Sequence, residues 1–211
     1  MTFQAHQLSC MRGDLQLFSG VSFDLQPGDA MRVAGTNGSG KTSLLRMLAG
    51  LSMPTEGEVR WNGKNIRRQR DEFCSRLIYL GHANGVKDDL VAWENLVVAS
   101  TLSGRQVSRD AAYAALEQLG LGRAADLPTR VLSQGQRKRV ALARLSLDLS
   151  AALWILDEPF TALDQSAVAA LCGTVNAHLE RGGMVIYTTH QEIELSARRA
   201  LCLNLNLVAA C

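Results

Sequence analysis

The sequence predicts an α/β fold, a mixed-sheet core with an antiparallel β-layer and a helical subdomain, and three patterns point to it. Residues 31–34 form a strand that runs into a glycine-rich loop at 35–40 and then into a helix starting at Lys41. Residues 153–156 and 185–188 are two apolar runs joined by a helical stretch at 165–179, by default a right-handed βαβ crossover. The first third of the chain alternates apolar and polar residues with period two, as a half-buried β-layer does.

In chain order, residues 3–9 and 21–25 are short strand candidates, and 58–61 is a third that closes on the turn Asn62-Gly63. The helix at 41–49 is stopped by Gly50. From Leu90 to about Pro128 the pattern turns helical: 92–102 is one helix, and Ser108 caps a second over 109–119, which Gly120 ends. Ser133 and Gln136 stand at capping-box spacing ahead of Val140, Leu142, Ala143 and Leu145, so a further helix begins at Ser133. Residues 199–208 add a last strand. The expectation is one domain over residues 1–211, with the helical subdomain at about 90–130.

Composition narrows the function. A chain of 211 residues, 47% hydrophobic and 20% charged, can bury a core without disulfides or a structural metal. Its 22 basic and 20 acidic residues leave a net charge of +2, too little for a dedicated nucleic-acid surface, and no nucleic-acid partner is expected. Arg67, Arg68 and Arg70 read as a solvated face. Cys10, Cys74, Cys172, Cys202 and Cys211 are scattered, with no C-x-x-C pair, which indicates a reducing compartment. No signal peptide is predicted from the first twenty residues, and no apolar run approaches the ~18 residues that span a bilayer. A membrane role would have to come through a partner.

Three segments carry chemistry. Gly35-Thr36-Asn37-Gly38-Ser39-Gly40-Lys41-Thr42 fits G-x-x-x-x-G-K-[ST], in which glycines turn backbone N–H groups around a phosphate at a helix N-terminus. Lys41 then reaches the β- and γ-phosphates of a nucleotide, Thr42 offers a hydroxyl to Mg²⁺, and Ser43 completes the cradle. The strand at 153–156 ends in Asp157 and Glu158, at the edge where ligands of open α/β sheets bind. Asp157 is the candidate Mg²⁺ holder and Glu158 the group that orients or polarises the attacking water. Leu132-Ser133-Gln134-Gly135-Gln136 is a capped helix start whose glycine admits close backbone approach, a second anion-binding device.

With that third segment the sequence resembles the ATP-binding-cassette (ABC) ATPases, a branch of the P-loop NTPases. Residues 132–136 match the family signature in four of five places, with Gln134 where a glycine is usual. Phe160-Thr161-Ala162-Leu163-Asp164 is similar to the family's D-loop and His190 to its switch histidine, so the resemblance spans essentially the whole chain. It implies ATP and Mg²⁺ as ligands and a homodimer in which Ser133, Gly135 and Gln136 act on the nucleotide held by the other copy. It also implies that His190 contacts the γ-phosphate. Two further positions depart from the pattern. His82 stands where most of the family carries a glutamine, and a neutral imidazole there is expected to take over the amide's part in hydrolysis. Arg12 stands where an aromatic residue often stacks on adenine; a guanidinium can also stack on a purine, which predicts loose base discrimination.

Gly81-His82, residues 153–162 and Thr188-Thr189-His190-Gln191 further resemble the ATP-binding subunit of bacterial cytochrome c maturation systems. That resemblance implies a peripheral subunit on the cytoplasmic face of the inner membrane, docked through the helical insert and the His82 loop on integral membrane permease subunits. Its hydrolysis would power haem export or release of a haem-loaded chaperone. No direct haem binding is expected, because His6, His82, His178 and His190 form no recognisable ligand set. The alternative within this class is another small-substrate or lipid exporter. An ATP-gated DNA clamp would need long coiled coils between the nucleotide motifs, and a GTPase would need N-K-x-D; neither pattern is present.

Overall fold

The computed structural model describes residues 1–207. Its strands divide by direction between two sheets. The antiparallel one holds β1 (Phe3–Arg12), β2 (Leu15–Leu25), β4 (Glu56–Trp61) and β5 (Lys64–Asn65) in the order β2-β1-β4-β5. The other is parallel throughout: β6 (Leu77–Leu80), β7 (Leu153–Leu156), β8 (Met184–Thr188), β3 (Asp29–Ala34) and β9 (Arg199–Asn204), in that spatial order. The expected mixture of strand directions thus lies between sheets. The last strand ends at Asn204 and passes into a 3₁₀ turn at Leu205–Leu207; Val208, the predicted end of that strand, and Cys211 lie outside the described residues.

β1 runs three residues beyond the alternating pattern because the ladder absorbs an irregularity. Gln7 sits at φ 48° with the exposed His6 beside it, after which burial resumes at Leu8. The partner strand must leave room: a Cβ on Gly57 would lie 2.3 Å from the carbonyl oxygens of His6 and Gln7.

The parallel sheet is buried on both faces, and its alternation supplies two cores. Trp154, Leu156, Val185 and Tyr187 face one side, where helices pack. Leu153, Ile155, Met184 and Ile186 face the other, against α1 (Lys41–Leu48) and the antiparallel sheet. α2 (Arg70–Ser75) is hidden in sequence by its charged neighbours; its one buried side chain, Phe73, stacks on Phe3 with centroids 6.0 Å apart. β6, four residues long, is likewise too short for its period to show.

The helical segment consists of α3 (Ala92–Leu102) and α4 (Arg109–Gln118), both packed on α5 (Gln134–Leu147). Ser108 Oγ accepts the Ala111 N–H at 3.2 Å, the predicted cap. The capping box at α5 is reciprocal: Ser133 Oγ accepts the Gln136 N–H at 3.2 Å, and Gln136 Oε1 accepts the Ser133 N–H at 2.9 Å. α6 (Gln165–Glu180) connects β7 to the adjacent β8. Arg67, Arg68 and Arg70 are exposed.

Candidate functional site

The C-terminal ends of β3, β7 and β8 meet beneath one cleft of about 470 Å³. The loop after β3 turns through left-handed glycines, Gly38 at φ 85° and Gly40 at φ 95°. Gly40 has a second reason to be glycine, since a Cβ there would lie 3.1 Å from the Phe18 ring. Lys41 Nζ donates to the carbonyl oxygens of Gly35 at 2.8 Å and Thr36 at 3.0 Å, which holds the ammonium in the mouth of the loop. The first turns of α1 direct their free N–H groups at the same space.

β7 delivers the two acids. Asp157 is buried, and its Oδ2 accepts from Thr42 Oγ1 at 2.9 Å, so a carboxylate and a hydroxyl, both hard oxygen donors, stand side by side at the floor. Glu158 has an unusual backbone, φ 49° in a residue with a side chain. Its Oε2 accepts from Thr161 Oγ1 at 3.2 Å, while Oε1 is buried without a hydrogen-bond partner among the described residues. His190 Nε2 lies 3.5 Å from that free oxygen. An ionised carboxylate with one uncommitted oxygen can orient a water molecule and take its proton.

Lys138 on α5 is buried, and burial pushes its ammonium pKa down while the charges of Asp157 and Glu158 pull it up. A cation buried in α5 is thus electrostatically linked to the acid pair. Burial, reinforced by the negative charge of Asp157, also raises the Tyr79 phenol.

The cleft gathers the sequence candidates Arg12, Asn37, Gly38, Gly40, Lys41, Thr42, Ser43, His82, Asp157, Glu158 and His190. Arg12 comes from the end of β1, and His82 from the loop that leaves β6. Gly35, Thr36 and Ser39 belong to the same loop without lining the cleft. Ser133, Gly135 and Gln136 do not reach it within one chain. Ser133 is exposed, and Gly135 packs against the loop after β7 so closely that a Cβ would lie 2.7 Å from the Ala162 carbonyl oxygen.

Four participants had no site role in the sequence, although Thr161 and Thr188 fall inside motifs quoted there. Leu17 and Thr161 line the cleft. Thr188, at the end of β8, donates to Asp157 Oδ1 at 2.8 Å and accepts the Glu158 N–H at 2.8 Å. Asn206 Oδ1 accepts both the Thr36 N–H and the Thr36 hydroxyl at 3.1 Å, tying the segment after β9 to the phosphate loop. Thr188 stands two residues before His190, which marks the segment but not the part its hydroxyl plays; a lone asparagine far from the loop carries no signal at all.

Residues 18–161 match the family described as ABC transporter. The cytochrome c biogenesis ATP-binding export protein CcmA of Nitrosospira multiformis is 55% identical over 195 residues, covering 92% of this chain and 94% of that protein. Among solved structures, a putative ABC transporter ATP-binding protein from Pyrococcus furiosus superposes over 100% of both chains with a TM-score of 0.83 at 23% identity. A dimeric ATP-binding cassette in a post-hydrolysis state, bound to ADP and Pi, superposes with a TM-score of 0.78 at 23% identity over 90% of this chain and 88% of that one. At that identity the two structures bear on the fold alone, while the family match over residues 18–161 and the likeness to CcmA bear on membership. On both counts the chain belongs to the ABC transporter family and groups there with the cytochrome c biogenesis ATP-binding export proteins.

Proposed function

We propose that this chain is the ATP-hydrolysing subunit of a membrane ABC complex for cytochrome c biogenesis, powering haem export or the release of a haem-loaded chaperone. The observation that carries the ATPase part is the single cleft shared by Lys41, Thr42, Asp157, Glu158 and His190. The pathway assignment rests on the likeness to the CcmA proteins.

The residues take roles by reach and charge. The loop N–H groups and Lys41 hold the β- and γ-phosphates, and Arg12 lies where it can stack on the base. Thr42 and Asp157 fit Mg²⁺: they offer oxygen ligands only, and among the described residues no group of three or more His, Cys, Asp or Glu makes a separate metal cage. Bound there with the nucleotide, Mg²⁺ supplies charge neutralisation on the phosphates. Glu158 Oε1 orients the attacking water and accepts its proton, and His190 contacts the γ-phosphate from the segment after β8. His82, on the rim, takes the part of the missing glutamine.

Ser133, Gly135 and Gln136 complete the site from a second copy. Supporting this, they lie outside the cleft of their own chain, on a capped helix start whose free N–H groups suit a phosphate. The described residues contain no helix long and apolar enough to cross a membrane. This fits a peripheral subunit; on our reading it sits on the cytoplasmic face of the bacterial inner membrane, docked on integral permease subunits through residues 90–130 and the His82 loop, and takes no nucleic-acid partner and no haem of its own.

The test is affinity isolation of the chain from membranes, wild type and Glu158→Gln, with mass spectrometry of partners and a haem stain. Permease subunits of the cytochrome c maturation type, and a haem protein retained only by the variant, are the expected result. A different permease without a haem protein would sink the pathway assignment and leave the ATPase.

A further inference from the structure

The end of β8 holds a hydroxyl that no step above uses. Thr188 is fully buried, opposite Val33 of the strand that feeds the phosphate loop, and one residue beyond the Leu156–Tyr187 pairing that aligns β7 with β8. That register brings Thr188 level with Asp157 at the sheet edge. Its two 2.8 Å hydrogen bonds have fixed directions, because the Glu158 N–H can only donate and an ionised carboxylate can only accept. The single Thr188 proton therefore goes to Asp157 Oδ1, and a lone pair receives the Glu158 N–H.

Asp157 is thereby held at both oxygens, Oδ1 by Thr188 and Oδ2 by Thr42, which fixes the plane of the carboxylate. Glu158 needs such a tie more than most residues. A left-handed backbone outside glycine is strained and persists only where its surroundings over-determine it. Two residues further on, the same strand end places His190 Nε2 3.5 Å from Glu158 Oε1.

We propose that Thr188 is a positioning residue of the nucleotide site: its one hydroxyl sets both the metal-facing carboxylate of Asp157 and the backbone of Glu158. The proposal rests on the ATPase reading of the cleft. Valine is close to threonine in shape and lacks the hydroxyl, so Thr188→Val removes both bonds with little change in volume, and Thr188→Ser restores them.

The experiment uses the full chain and follows ATP binding in EDTA, ATP binding across a Mg²⁺ titration, and turnover. For Thr188→Val, metal-free ATP affinity is expected to stay within about twofold of wild type, while half-saturating Mg²⁺ rises about tenfold and turnover falls about 10- to 100-fold, the range typical of lost outer-shell partners. Thr188→Ser is expected to return both quantities to within about threefold of wild type. If Thr188→Val unfolds below the assay temperature, Thr188→Ala, which also lacks the hydroxyl, carries the same comparison. Three results would each overturn the proposal: an unchanged Mg²⁺ requirement in the hydroxyl-free variant, failure of serine to rescue, or a metal-free affinity that falls as far as the metal-dependent one. A wild-type chain that binds no ATP would overturn the ATPase reading along with it.

Discussion

Glu158 concentrates the chemistry of the site in one side chain, with one carboxylate oxygen held by Thr161 and the other buried and free. Replacing it by glutamine keeps the shape and removes the base. Glu158→Gln is expected to lower turnover by roughly 10²- to 10³-fold while ATP binding persists, and ATP is expected to shift the variant toward a dimer by light scattering. A variant that stays monomeric with ATP would count against a site shared between two copies. Arg12 makes a separate prediction, because a guanidinium stacks on either purine: ATP and GTP should be turned over at comparable rates, checked by parallel kcat/KM measurements. Much of this site was legible because its pattern is contiguous. Residues 35–42 state their geometry within eight positions, and Asp157 and Glu158 follow an unbroken apolar strand. Thr188 and Asn206 were not legible, since their roles depend on which strands become neighbours, and one hydroxyl or amide in a sequence does not say what it will face.

Among the elements, the packing of α6 on β7 is the place where pH enters. His178 lies buried with its ring stacked on Trp154, centroids 3.8 Å apart and planes within 6°. Gly183 leaves room for the imidazole, as a Cβ there would fall 2.1 Å from its Nε2. Burial pushes the His178 pKa down from 6.5 to about 4. The unfolded chain therefore binds this proton first as pH falls, so the group's contribution is fully present above pH 6.5 and is lost toward pH 4, about 3 kcal/mol in all. Thermal melts of wild type and His178→Phe between pH 7 and 4.5 should show a difference in Tm that shifts in the variant's favour as pH drops; a pH-independent difference would contradict it. Helices were easier to read than strands here. The caps at Ser108 and Ser133 act within four residues of their helices, whereas β1 continues through an irregularity at Gln7 that only its partner strand explains.

At the scale of the molecule, the arrangement predicts complementation. A Lys41→Ala chain has no working phosphate loop, and a Ser133→Arg chain has no working signature; each alone should be inactive. Mixed in equal amounts, about half of the randomly formed dimers carry one intact pair of surfaces, so activity should reappear at about a quarter of the wild-type level, measured by phosphate release. Continued inactivity of the mixture would mean that both surfaces serve the same chain. The sheet order has its own consequence. Among the described residues, β3, which launches the phosphate loop, pairs only with β8 and β9, so a strand at residues 29–34 waits for partners at 184–204. During synthesis that segment has no sheet to join for most of the chain's passage through the ribosome, and such long-range pairing is slow to form. A nascent chain halted short of residue 184 therefore carries the complete phosphate-binding motif in its sequence but neither of the strands that hold β3 in its sheet.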